Sequence, residues 1–253
     1  MPAVRSPSAD EPVRDPHPIL GGYYADSAGK RRFVDSIFDA TAPDYDRVER
    51  LLALGTGPWY RRQALLRAGL APGMRMLDVA VGTGLVAKEA LRILGDREAV
   101  VGIDPSAGMM AAAAADGIEL VRGRAEALPF ADHAFDFLAL GYALRHLSDL
   151  QAVFREFRRV LRPAGRLLLL EITRPEGSVA RGLLKLYMRG VVPILSRTVA
   201  RHADTPRLYR YYWDTIEACV PPARVAQTLE ATGFAGVERL VTLGIFSEFR
   251  ATA

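Results

Sequence analysis

Asp78 and Asp104 stand 26 positions apart, about one helix plus one strand, and between them an apolar run is broken by Gly82 Thr83 Gly84. Met76 to Val81 is strand-like and Leu85 onward is helix-compatible, so the segment is expected to form strand, tight loop and helix. Glycine at such a turn tolerates positive φ and lets backbone approach a ligand, while the helix N-terminus presents amides to it. Asp104 closes the next apolar run, Ala99 Val100 Val101 Gly102 Ile103. A carboxylate at the carboxyl end of a second parallel strand can accept both hydroxyls of a ribose. The pattern is that of a nucleotide-binding βαβ unit; a purely structural glycine turn is the competing reading.

The remaining segments must position these groups. Residues 1–30 mix Pro, Arg, Asp, Ser and Gly with no apolar stretch of signal-peptide length, and are expected to be a flexible tail. Residues 31–70 form a helical prelude: Phe33, Ile37 and Phe38 share one face, and Val48, Leu51 and Leu52 another. Between them Pro43 is expected to end the first helix and Asp44 or Asp46 to cap the second. After Asp104 come a small-residue helix over 106–115 and a short strand at 119–121. A fourth strand follows over 134–140, then a helix through Leu150, Val153, Phe154, Phe157, Val160 and Leu161 halted at Pro163, and an apolar strand over 165–172. Alternation of this kind predicts an α/β fold, a doubly wound and mainly parallel sheet, as one domain over 31–253. Residues 176–220 interrupt it as a helical insertion after the fifth strand, apolar, aromatic and basic. This insertion can wall an apolar substrate pocket, touch a membrane surface or form a plain extra layer. A helix over 222–232, closed by Gly233, and two strand-like runs, 237–241 and 245–251, complete the chain.

Composition narrows the classes. The chain has 253 residues, 50% hydrophobic, enough for one large core. One cysteine, Cys219, excludes an internal disulfide framework and suits a reducing, cytoplasmic compartment. A net charge of +4 is spread over dispersed arginines with no basic block, which argues against a nucleic-acid partner. No apolar run approaches the ~20 residues needed to span a bilayer, and no metal-ligand spacing is present. Peripheral membrane contact and a homodimer both stay open.

Taken together the motifs resemble a class I S-adenosylmethionine-dependent methyltransferase, and more closely the ubiquinone and menaquinone biosynthesis C-methyltransferases, which methylate a ring carbon of a prenylated hydroquinone. The blocks that carry the resemblance include Phe38 Asp39, Tyr45 Asp46, Leu77 to Gly84 with Ala80 in place of the first glycine, Ala125 to Phe130, Leu144 Arg145, Arg159 to Pro163, Leu170 Glu171 and Tyr209 Arg210 Tyr211. The resemblance implies a Rossmann-like sheet of seven strands with the last pair reversing direction, and S-adenosylmethionine as cofactor. It implies cofactor contacts from Asp78, Ala80, Gly82, Thr83, Gly84 and Tyr45, from Asp104, Pro105 and Met109, and from Arg124, Ala125 and Glu126 flanking the adenine.

The chain departs from that family's pattern at Arg124, where Asn or Asp is usual, and at His146, Trp213, Asp214 and Phe249, which are expected to lie where a substrate sits. For a small aromatic acceptor such as a quinone precursor, removing a neighbouring hydroxyl proton raises ring nucleophilicity. His146 is nominated as base, Arg145 as phenolate stabiliser and Tyr209 as a lesser candidate. Two other functions compete: O- or N-methylation of another small aromatic metabolite, and a non-catalytic cofactor-binding scaffold.

Overall fold

The computed structural model describes residues 13–114 and 117–253. Helices α1 (Ser27–Leu52) and α2 (Gly57–Arg67) precede β1 (Met76–Val79), α3 (Leu85–Leu94), β2 (Val100–Asp104), α4 (Ala107–Ala113), β3 (Glu119–Arg122) and β4 (Phe135–Gly141). A 3-10 turn at Leu144–His146 leads to α5 (Leu150–Val160) and β5 (Leu161–Ile172). Then come α6 (Ser178–Leu186), a π-helical turn (Tyr187–Val191), α7 (Val192–Val199), α8 (Thr205–Ala218), α9 (Pro222–Ala231), β6 (Ala235–Thr242) and β7 (Phe246–Thr252).

The seven strands lie in the order β3-β2-β1-β4-β5-β7-β6. The first five are parallel and β7 runs antiparallel to both β5 and β6. This is the expected α/β, doubly wound, mainly parallel architecture, with the helical insertion after β5. Both faces of the central strands are covered, which is why they are apolar at nearly every position. Leu77, Val79, Leu138, Leu140, Leu167 and Leu169 face α5 and α9. Their alternates Met76, Phe137, Ala139, Leu168 and Leu170 face α2 and α3.

Three expectations need correction. Pro43 does not end a helix: α1 runs through it for 26 residues. The ring deprives the Asp39 carbonyl of its helical donor, but burial of Ile37, Ala42 and Val48 holds the helix together on both sides. Asp44 and Asp46 therefore sit inside α1 and cap no second helix. Asp44 accepts the backbone N–H groups of Arg201 and His202 (2.8 and 2.7 Å) and the Thr205 hydroxyl, tying α1 to the turn before α8.

Residues 13–30, expected within a flexible tail, pack on the domain. Val13 N–H donates to Thr228 Oγ1, the carbonyls of Arg14 and Pro16 accept from Leu150 and Val220, and buried Lys30 donates to the Leu147 carbonyl. Residues 1–12 lie outside the described residues. Among those described, no helix is long and apolar enough to cross a membrane.

The strand expected over 165–172 begins at Leu161. The register with β4 shifts between Phe135 and Phe137, so Pro163 is accommodated at an irregularity and not in a regular ladder.

Candidate active site

The carboxyl ends of the parallel strands open into one cavity of about 650 Å³ under α1. Its first part is built on the glycine turn. Ala80 and Gly82 both adopt left-handed backbone, φ 53° and 57°. A Cβ on Gly82 would meet only the Ala80 carbonyl oxygen, at 3.9 Å, and would otherwise stand in open cavity. Asp104 joins two loops: its Oδ2 accepts from Gly82 N–H at 2.9 Å and its Oδ1 from Ser106 N–H at 2.8 Å. Burial pushes the Asp104 carboxyl upward against those two bonds.

Asp78 is buried, and its Oδ2 has no hydrogen-bond partner among the described residues. Burial raises its pKa to about 8. A buried acceptor left without a donor is unusual in a folded protein, and Asp78 is one of the residues that line the cavity.

The second part of the cavity is aromatic. Tyr209 and Tyr212 of α8 meet edge to face at 5.5 Å, and the Tyr212 hydroxyl lies 3.4 Å from that of Tyr45 on α1. Tyr142 follows β4 with φ 60°, a left-handed conformation that costs a non-glycine residue about 1 kcal/mol or more. A Glu49–Arg61 pair at 2.7 Å closes this end.

His146 belongs to the same lining. Both of its ring nitrogens are enclosed and without hydrogen-bond partners among the described residues. Burial first, and then the neighbouring Arg145 guanidinium, hold its pKa well below the usual value of 6.5, so the ring is neutral.

Every residue expected at the cofactor except Gly84 lines the cavity, as do Arg145, His146 and Tyr209. Gly84 instead sets the start of α3, in left-handed conformation with φ 83°. Tyr45 makes its hydroxyl contact in the aromatic part, with Tyr212. Arg124 is exposed at the rim and ion-paired to Asp35 of α1.

Arg145 is buried against Glu171 in an ion pair, and its Nε donates to Thr215 Oγ1 at 3.2 Å. Its charge is matched inside the wall, which fits an anchor better than a partner for a phenolate. Phe249, Trp213 and Asp214 do not line the cavity. Strand alternation turns Phe246 inward and Phe249 into the core, and Trp213 packs with Val48 and Met188 behind Tyr209. Asp214 accepts from Tyr23 at 2.7 Å.

The sequence reading missed how α1 is fastened over the cavity. Asp35 pairs with Arg124, and Asp39 accepts from Ser106 Oγ (2.5 Å) and Gly108 N–H (2.9 Å). Asp46 accepts from Thr83 Oγ1. Each carboxylate thus grips the loop after a different strand, β3, β2 and β1. Their spacing of four and seven residues is the signal of one helical face, visible only once the helix is carried through Pro43.

The profile of the ubiE/COQ5 methyltransferase family matches residues 25–252. The chain is 35% identical over 215 residues to a demethylmenaquinone methyltransferase of Mycolicibacterium paratuberculosis, covering 85% of this chain and 91% of that one. It is 31% identical over 212 residues to the ubiquinone/menaquinone biosynthesis C-methyltransferase UbiE of Hahella chejuensis, covering 81% and 84%. Among solved structures it is similar to a methyltransferase of Thermotoga maritima, with a TM-score of 0.61 at 21% identity over 86% of this chain and 98% of that one. That last likeness shows the fold.

Proposed function

The chain belongs to the ubiE/COQ5 methyltransferase family and is an S-adenosylmethionine-dependent methyltransferase, and from that premise we propose that it methylates a ring carbon of a prenylated hydroquinone in quinone biosynthesis. One observation carries the reading: a single cavity joins the glycine loop and Asp104 to an aromatic chamber, with His146 in its lining and both imidazole nitrogens unpartnered among the described residues.

The residues present fit the cofactor. Gly82 leaves open the space a side chain would fill. Each Asp104 oxygen accepts one backbone bond and keeps a lone pair for a sugar hydroxyl. The orphaned Asp78 oxygen suits a cationic donor such as the ammonium of the methionine part. When bound, the cofactor's sulfonium supplies an electrophilic methyl group.

What the chain contributes is placement, dryness and a proton acceptor. The tyrosine walls and the α1 roof exclude water and orient the acceptor ring. Neutral His146 accepts a hydrogen bond from a ring hydroxyl and takes its proton as the neighbouring carbon is alkylated; loss of the hydrogen from that carbon and return of a proton to the oxygen then restore the aromatic ring. A weak base suffices because the hydroxyl becomes far more acidic as the ring gains positive charge. Arg145, locked to Glu171, adds to the burial that keeps His146 neutral and supports Tyr212, whose ring lies 5.6 Å from its guanidinium carbon. Arg145 is thus a positioning residue, and Tyr209 shapes the chamber.

The test is incubation with isotopically methyl-labelled cofactor and a demethylated prenyl hydroquinone, followed by mass-spectrometric location of the label. Label on the ring carbon supports the reading. Label on oxygen, or on nitrogen of another aromatic substrate, overturns it.

A further inference from the structure

None of the nine residues of α6 is buried. Along α6 and α7, Val179, Leu183, Leu186 and Ile194 are 75%, 64%, 65% and 63% exposed, and their spacing of four, three and eight residues returns to one side of the helical segment. A soluble protein rarely leaves such a stripe bare unless something covers it.

The stripe adjoins the cavity mouth. The Tyr187 hydroxyl donates to the Leu52 carbonyl at 3.4 Å, bringing the π-helical turn against the end of α1. Just beyond that end, Leu54 and Trp59 are 87% and 66% exposed, and Leu243 at the β6–β7 hairpin tip is 83% exposed. All three line the cavity as well. The bare apolar surface is therefore also the entrance.

Charge identifies the occupant. From 177 to 203 the chain carries Arg181, Lys185, Arg189, Arg197 and Arg201 and no acidic residue. Arg181 and Arg189 also pair with Glu217 and Asp214 of α8, while Lys185 and Arg197 make no ion pair among the described residues. An apolar stripe with a cationic flank suits the interface of an anionic bilayer, apolar side chains in the acyl boundary and cations at the headgroups. An isologous contact between two copies would instead bring like charges together.

We propose that this face docks onto an anionic lipid surface with the cavity mouth against the bilayer, so that the tail of an apolar acceptor stays in lipid while its ring enters the chamber. The proposal rests on the acceptor being a lipid-tailed aromatic.

The test is co-sedimentation with phosphatidylcholine vesicles, with and without about one-third phosphatidylglycerol, for the full chain and for the triple variant Leu183→Glu, Leu186→Glu, Ile194→Glu. Wild type is expected to pellet with the anionic vesicles, in a salt-sensitive manner, with a blue shift from Trp59; the only other tryptophan, Trp213, is buried. The variant is expected to partition at least ~10-fold less while methylating a short-chain, water-soluble hydroquinone at the wild-type rate. Wild type that stays in the supernatant, or a variant that pellets equally, overturns the proposal. So does a concentration-dependent dimer in light scattering that the substitutions abolish without any vesicle binding. Because vesicle binding is read without methyl transfer, failure here leaves the acceptor assignment to its own assay, and failure of that assay leaves this one readable.

Discussion

The imidazole of His146 stacks on the ring of Tyr211, centroids 5.5 Å apart and planes 28° from parallel, and Phe38 of α1 meets it edge-on at 5.2 Å. The ring is held by aromatic packing, and neither nitrogen has a hydrogen-bond partner among the described residues. Replacing His146 with alanine is expected to lower kcat by about 100-fold, a typical loss for a proton acceptor. Affinity for S-adenosylhomocysteine should change less than about threefold, because Asp78, Gly82 and Asp104 are untouched. Unchanged kcat in stopped assays would remove His146 from the mechanism.

The neutrality of His146 has a pH signature. Its pKa lies well below 6.5 through burial and the adjacent Arg145, so kcat/KM should show no inflection near 6.5. Stability should respond in the same range. His17 is likewise lowered to about 4, chiefly by burial. For both rings the unfolded chain binds the proton more readily, so their stabilisation is complete above about 6.5 and is lost as pH falls toward 4. Urea titrations at pH 7 and pH 5 should show the loss, and His17→Asn should reduce it.

Asp78 works in the opposite sense. Its pKa is raised to about 8 by burial, so the ligand-free fold is relieved of a buried charge below the unfolded carboxyl value near 4 and loses that stability as pH rises through 8. Asp78→Asn should raise the Tm of ligand-free protein at pH 9 by a few degrees while weakening the cofactor about tenfold or more. A cationic group placed against Asp78 lowers its pKa again, so cofactor binding at pH 7 should release protons. Calorimetry in two buffers of different ionisation enthalpy measures that release, and identical heats would contradict the assignment.

The Arg145–Glu171 pair links the turn after β4 to the end of β5 inside the wall. Removing one partner leaves a buried charge alone, which typically costs 3–5 kcal/mol. Arg145→Met should therefore lower stability by about that much, and Arg145→Met with Glu171→Leu by clearly less than the single change. Additive losses in urea unfolding would mean that the two residues act independently.

Asp39 fastens α1 to Ser106 and Gly108 over the second strand's loop. Asp39→Ala should speed cofactor release by about tenfold, the equivalent of ~1.4 kcal/mol, and raise amide exchange along α1 without changing the sheet. Exchange confined to its wild-type rate would show that α1 stays closed on its other contacts.

Much of this was legible in the residues. Apolar strands ending at Val79 and Asp104 and the glycine turn between them place the end of the sheet at which the cavity opens, because parallel strands present ligands at their carboxyl ends. Local signals failed where tertiary contacts outweighed them. Pro43 lies within a helix because packing on both sides outweighs the one hydrogen bond it removes. Residues 13–26 have no apolar periodicity of their own, yet their backbone pairs with α5, α9 and the turn between α8 and α9. The turn of Tyr142, Tyr212 and Phe246 toward the cavity and of Trp213 and Phe249 into the core depends on helix phase and strand register, which a list of aromatic residues does not carry.

The central proposal is that His146, in the lining of the cavity, meets the acceptor's hydroxyl. A crystal structure of the protein with S-adenosylhomocysteine and a short-chain demethylated hydroquinone tests it most directly. The account predicts a ring hydroxyl within about 3 Å of a His146 nitrogen, with the unmethylated carbon facing the sulfur. An acceptor ring bound away from His146, or a heteroatom facing the sulfur in place of carbon, would contradict it.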